Sequence, residues 1–243
     1  MALKIFVDFD GTITKRDVGN AFFRKYVGQA AYDEMLREYK DERISAQECF
    51  RKGIVAIATL NRDEAVTFVR SQEIDPSFKE FLDYCRKKDL EFHIVSDGLD
   101  FYIDEILAAN GIAGVSIFAN NLRLIPVDGR AECDLQIDFP YADAECRRCA
   151  SCKRNIMLTH SGDEDLIAYV GEGYSDQCPV QYADIVFAKD ALQTYCQREN
   201  ISYYLYDSFR DVVERLDVLL AKKRLRKRLA AEMKRKEIFM REP

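Results

Sequence analysis

Strand-like and helix-like segments alternate along this chain, which predicts an α/β fold: a mostly parallel sheet with helices on both faces. Three observations carry the prediction. Short apolar runs at Leu3–Asp10, Leu90–Asp97, Leu166–Gly173 and Ala183–Lys189 have the length and hydrophobicity of buried strands. Helical patterns at Ser77–Lys88, Leu99–Asn110, Lys153–Ser161 and Ala191–Asn200 fall among them. Of the 243 residues, 48% are hydrophobic and 32% charged, a composition that suits a full core without any staple. No apolar run approaches the roughly 18 residues of a membrane span.

Taken in order, Leu3–Asp10 ends in acidic residues and Gly11, a buried strand followed by a turn. Residues 15–75 contain no convincing strand and read as amphipathic helices; Val18, Phe22, Phe23, Tyr26 and Val27 share one face. Gly114–Asn121 and Ile201–Asp207 are further strand candidates. Residues 120–140 alternate around Asp128-Gly129, a β-hairpin signal.

Net charge is −6, from 36 basic and 42 acidic residues, which argues against nucleic acid as the main partner. Ten Lys or Arg nevertheless lie between Lys222 and Arg241. Leu216, Leu220, Leu225, Leu229 and Met233 recur there at partial helical spacing, so a solvated terminal helix is the expectation. The amino terminus runs straight into a strand without a secretion-signal pattern, which points to the cytoplasm. Most of the eight cysteines should then be free thiols. Cys146-x-x-Cys149-x-x-Cys152, with Cys133 upstream, also has the spacing of a Zn²⁺ site or a redox switch, though a thiol cluster is the simpler reading. His93 reads as a satisfied core histidine and His160 as a helix-terminal one.

Four segments fall where strands end or a helix begins, the place where open α/β sheets bind ligands. They are Asp8-Phe9-Asp10-Gly11-Thr12, Ser96-Asp97-Gly98, Lys153, and Glu172-Gly173-Tyr174-Ser175-Asp176. Two carboxylates on an apolar strand are costly unless a cation or protons compensate them. Glu172 and Asp176 can join Asp8 and Asp10 around one cation, and Mg²⁺ suits such an oxygen set. Ser96 and Lys153 supply the donors that a phosphoryl group needs. Asp97 and Asp100 can equally cap the helix that follows.

These four segments, in this order, resemble the motifs of the haloacid dehalogenase superfamily of phosphatases. The resemblance implies a Rossmann-like parallel sheet as the core (residues 1–14 and 76–243), a helical C1 cap (15–75) and a small β-hairpin insert. Val95-Ser96-Asp97-Gly98-Leu99-Asp100-Phe101, Cys149-x-x-Cys152-Lys153 and Ser175-Asp176-Gln177-Cys178-Pro179 are similar to the phosphoserine-phosphatase-like branch, including methionine-salvage and phosphocholine/pyridoxal-phosphate phosphatases. It implies Asp8 as nucleophile forming an aspartyl-phosphate, and Asp10 as acid and then base. Gly11, Thr12, Ser96, Asp97, Gly98 and Lys153 would surround the phosphate. Mg²⁺ would meet the Asp8 carboxylate, the Asp10 carbonyl and Glu172, with Asp176 beside them. The family usually carries Gly-Asp where this chain has Gly171-Glu172, one methylene longer. The expected substrate is a small phosphorylated metabolite, with a homodimer left open. Phosphotransfer to a small acceptor, or a weakly active binding or regulatory protein, are the alternative functions.

Overall fold

The computed structural model describes residues 2–222 and 224–240. Along the chain run β1 (Leu3–Val7), α1 (Val18–Val27), α2 (Gln29–Lys40), α3 (Ala46–Ile57), β2 (Thr59–Asn61) and α4 (Arg62–Arg70). There follow α5 (Phe78–Lys87), β3 (Glu91–Leu99), α6 (Asp100–Ala109), β4 (Ser116–Pro126), β5 (Glu132–Asp138) and α7 (Lys153–Thr159). The chain continues through β6 (Leu166–Gly171), β7 (Ile185–Ala188), α8 (Asp190–Arg198), β8 (Tyr204–Leu205), α9 (Phe209–Leu220) and α10 (Leu229–Phe239).

The strands form one sheet in the order β2-β5-β4-β3-β1-β6-β7-β8. From β4 through β8 every neighbouring pair is parallel, and β1 lies between β3 and β6. Alternate residues of β1 feed opposite faces. Ile5 and Val7 join the larger core with α5, α6 and α9, while Phe6 joins a second core under α7 and α8. Both faces are therefore dry, and this is why β1 reads as an apolar run. The α/β class and the mostly parallel sheet hold as expected.

β4 serves two layers. Residues 116–120 pair parallel to β3, and 121–126 continue antiparallel to β5 as the hairpin around Asp128-Gly129. Beyond Val95 the register of β3 shifts before it resumes at Leu99. Such an irregularity re-aims side chains, here Ser96, Asp97 and Gly98.

Between Thr14 and Ile74 the chain leaves and re-enters the sheet region as a two-stranded neck. Thr14 and Ile74 form an antiparallel bridge, flanked by Lys15 N–H to Glu73 C=O (2.9 Å) and Asp75 N–H to Ile13 C=O (2.8 Å). Three of the four helices beyond the neck start at side-chain caps. Asp17 accepts from Asn20 N–H, Ser45 and Glu48 form a capping box, and Asn61 accepts from Glu64 N–H.

Two expectations need correction. The helical stretch 15–75 does contain a strand, β2, which pairs antiparallel with β5. Three residues cannot display an alternation, and it exists because β5 offers an open edge. The described end of the basic run is likewise not helical. Residues 224–228 are irregular and α10 begins only at Leu229; Lys223 lies outside the described residues. Arg228 donates to the carbonyls of Val180, Gln181 and Ala183, and Arg235 pairs with Asp184 at 3.0 Å. These docked guanidiniums override the leucine spacing, so Leu229 and Met233 face outward at 70% and 56% exposure.

His93 is buried with Nε2 2.9 Å from Glu91 Oε1, but its Nδ1 has no hydrogen-bond partner among the described residues, so it is only half satisfied there. His160 follows the last turn of α7 and packs on Phe118 at 4.5 Å. No helix among the described residues is long and apolar enough to cross a membrane.

Candidate active site

In a sheet whose strand order reverses, the ligand crevice lies at the carboxyl ends of the strands flanking the reversal. Here the reversal is at β1, and Asp8 is the first residue beyond it, its N–H bonded to Val170 C=O of β6 at 2.9 Å. The chain then turns sharply. The N–H groups of Thr12, Ile13 and Thr14 all point at Phe9 C=O, and Gly11 adopts φ +75°, a region that side chains disfavour. Phe9 is driven into the core, leaving Asp8 and Asp10 on the cavity side.

Lys153 begins α7 and is fully buried. Its ammonium lies 2.6 Å from Asp8 Oδ1, 2.6 Å from Asp176 Oδ1 and 2.9 Å from Ser175 Oγ. Burial works against its charge, but Asp176 and Asp8 outweigh it and hold the pKa above the ordinary lysine value. The other Asp8 oxygen accepts from Thr12 Oγ1 at 3.1 Å. Asp176 was grouped with the metal ligands by sequence. Both of its oxygens accept from protein donors, as both Asp8 oxygens do: Lys153 and the Tyr169 hydroxyl at Oδ1, and the Glu172 and Gly173 amides at Oδ2.

Asp10 is held at four points. The Val18 and Gly19 amides at the start of α1 reach Oδ1 at 3.0 and 3.1 Å. The Tyr102 and Ser96 hydroxyls reach Oδ2 at 2.7 and 3.3 Å. Burial, helped by the Asp17 charge, raises its pKa to about 7, within reach of proton transfer at neutral pH.

Asp97 does not cap α6. Its Oδ1 accepts the Ala150 and Ser151 amides, both at 2.7 Å, and so ties the cysteine loop to the end of β3 just ahead of Lys153. Burial raises its pKa to about 6. Asp100 bonds Leu122 N–H and Asn121 Nδ2 on β4. All eight cysteines are free, and Cys149 and Cys152 are buried in this loop.

The Glu172 carboxylate rests over Gly11, where a Cβ would meet Oε1 at 3.1 Å. No hydrogen bond from the described residues reaches that carboxylate. Burial, with the charges of Asp176, Asp17 and Asp190, raises its pKa to about 7. Burial and Asp176 likewise push Asp8 up. A carboxylate at Asp8, the Asp10 carbonyl and an unclaimed carboxylate at Glu172 make an all-oxygen donor set with excess negative charge. That set fits Mg²⁺.

The cavity above these groups holds about 270 Å³. Asp8, Asp10, Asp97, Gly98 and Glu172 line its floor; Phe23, Tyr32, Leu36 and Phe50 of α1–α3 form its roof. Ser96, Lys153 and Asp176 stand behind the floor, fully buried. The Gly11 and Gly98 amides are turned to Thr14 Oγ1 and Ser96 Oγ. At the mouth, the Tyr39 hydroxyl bonds Arg148 C=O and its ring meets Tyr174 edge-on at 6.1 Å.

Comparison with known proteins bears on this arrangement. The model of the Putative Phosphatase family matches residues 3–202. The chain belongs to this family. Among curated relatives of this phosphatase, a Bacillus cereus (strain ATCC 10987) 2-hydroxy-3-keto-5-methylthiopentenyl-1-phosphate phosphatase is 30% identical over 90% of this chain and 98% of its own. A phosphatase of the same name from Exiguobacterium sibiricum is 28% identical over 89% of this chain and 97% of its own. A phosphoserine phosphatase solved as a phospho-aspartyl intermediate analogue superimposes with a TM-score of 0.65 at 16% identity, covering 88% of this chain and 98% of that one. A probable phosphoserine phosphatase from Vibrio cholerae gives 0.68 at 16% identity, covering 94% and 68%. These structural likenesses show the fold. By family the chain is a phosphatase, a phosphoric monoester hydrolase, and its fold is that of the phosphoserine phosphatases.

Sequence reading missed Tyr102 and Tyr169, which hold Asp10 and Asp176, because both tyrosines sit in apolar segments and look like core. Asp17 and Tyr39 of the cavity wall were missed too, for want of any local pattern.

Proposed function

We propose that this phosphatase hydrolyses a small phosphomonoester in two steps through an aspartyl-phosphate at Asp8, with Mg²⁺ as cofactor. The observation that carries the reading is the pairing of Asp8, buried against Lys153, with Asp10 two residues on at the same cavity floor. Asp8 attacks phosphorus while Asp10 passes a proton to the departing oxygen; Asp10 then takes a proton from the water that cleaves the acyl-phosphate. Lys153 keeps Asp8 oriented and sets positive charge beside the phosphoryl group. Asp8, the Asp10 carbonyl and Glu172 would hold Mg²⁺, which would add positive charge to the phosphoryl oxygens. Asp97 serves by anchoring the loop that presents Lys153, with Ser96, Gly98, Gly11 and Thr12 around the phosphate. Residues 15–75 act as the cap on a core of 1–14 and 76–243, excluding water from the reacting groups. The aromatic roof and the 270 Å³ volume suit a compact organic phosphate, the class to which the relatives' named substrate belongs. Eight free thiols accord with a reducing, cytoplasmic setting.

The test is phosphate release from a panel of phosphomonoesters, with Mg²⁺ and with a chelator, for wild type, Asp8→Asn and Asp10→Asn. Rapid acid quench should leave a phosphoryl adduct on the peptide containing Asp8. Full turnover by Asp8→Asn would refute the covalent route.

A further inference from the structure

We infer that Tyr102 is a positioning residue that selects which oxygen of Asp10 faces the leaving group. The inference rests on the acid role given to Asp10 above. Asp10 Oδ1 is occupied as an acceptor by two amides, those of Val18 and Gly19. Oδ2 meets two hydroxyls instead, Tyr102 at 2.7 Å and Ser96 at 3.3 Å; a hydroxyl hydrogen can turn away where an amide hydrogen cannot, so the transferable proton belongs on Oδ2. By donating there, the tyrosine hydroxyl fixes the rotation of the carboxyl group and so the direction of its remaining site. In the first step the Oδ2–H bond breaks, its proton passes to the leaving oxygen as that oxygen parts from phosphorus, and Tyr102 keeps its own proton.

The surroundings are built for this contact. Tyr102 has no solvent exposure, and its ring lies 6.3 Å from Phe9 and 6.5 Å from Phe22. Two glycines from different elements leave space for its hydroxyl. A Cβ on Gly98 would sit 1.8 Å from Tyr102 Oη and 2.5 Å from Asp10 Oδ2; one on Gly19 would sit 3.1 Å from Tyr102 Oη. Gly19 is the second residue of α1, in its first turn. Asp10 is thereby clamped between α1 on one oxygen and α6 on the other.

The experiment compares kcat/KM of wild type and Tyr102→Phe on glycerol 2-phosphate and p-nitrophenyl phosphate, with Mg²⁺ present. This parameter reports steps up to departure of the leaving group. An alkoxide needs a proton to leave and nitrophenolate does not. Tyr102→Phe should lower kcat/KM on the alkyl ester by roughly 10–100-fold and leave the aryl ester within about twofold. Gly19→Ala favours the helix while crowding the hydroxyl, so it should give a smaller split of the same sign, and it decides the matter if Tyr102→Phe fails to fold. Equal losses on both esters, or none, in the folded variants overturn the inference alone. An Asp10→Asn variant whose kcat/KM on the alkyl ester falls no further than on the aryl ester overturns the acid role beneath it as well.

Discussion

Lys153 stands 2.6 Å from Asp8 although 145 residues separate them in the chain, and both side chains are buried. Asp176 sits at the same 2.6 Å on the ammonium, so one buried cation holds two buried carboxylates apart. A buried network of this kind is costly to break because the remaining charges lose their partner.

Lys153→Met should therefore abolish turnover and also destabilise the fold by about 3–5 kcal/mol at pH 7. Urea denaturation checks it. An unchanged midpoint would mean that the two carboxylates take up protons without cost, contrary to the network described.

Glu172 is the place where the chain leaves its family's pattern. Glu172→Gln removes a negative charge from the oxygen set and should raise the Mg²⁺ concentration for half-maximal activity by tenfold or more, on the order of 1.4 kcal/mol or above. Glu172→Asp should also bind Mg²⁺ more weakly than wild type, since Glu172 already rests over Gly11 and a shorter arm withdraws from it. Superimposable Mg²⁺ curves for wild type and Glu172→Gln would remove Glu172 from the ligands.

Asp97 provides a pH test in metal-free protein. Its pKa is raised to about 6 in the fold, so the folded state binds its proton more tightly than the unfolded chain. That contribution to stability is complete below about pH 4 and is lost as pH rises through about 6. Asp97→Asn keeps an oxygen for the Ala150 and Ser151 amides and does not titrate. Its melting temperature should match wild type near pH 4 and exceed it at pH 7, by up to about 3 kcal/mol or several degrees. A difference independent of pH would contradict the burial argument.

Asp75 ties the neck to two helices. Its Oδ1 accepts from Ser77 N–H and Oγ, and its Oδ2 from Phe209 N–H at 3.0 Å, at the start of α9. Asp75→Ala leaves those buried donors unpaired and should cost about 2–3 kcal/mol. Thermal or urea unfolding measures it; a loss below about 0.5 kcal/mol would show that water replaces the carboxylate.

What the sequence determined by itself was local in origin. The strand at residues 3–7, the turn at Gly11 and the hairpin at Asp128-Gly129 follow from periodicity and turn chemistry within a few residues. The spacing of Asp8 and Asp10 puts both on one side of an extended chain, and the four motifs in order were enough to expect phosphate chemistry. Their working partners were not local. Lys153 alone looks like a surface charge, Tyr102 like one more apolar-face aromatic, and Asp176 like another metal ligand. Packing of the sheet decided that Asp176 serves Lys153 and that Tyr102, 92 residues from Asp10, reaches its carboxyl group. The same packing stopped the described end of the basic run from being helical, because Arg228 found unpaired carbonyls at Val180, Gln181 and Ala183. A side chain's propensity is written in its neighbours along the chain, whereas a buried charge or hydroxyl takes whatever partner the fold brings within 3 Å, since leaving it unpaired costs more than any local preference.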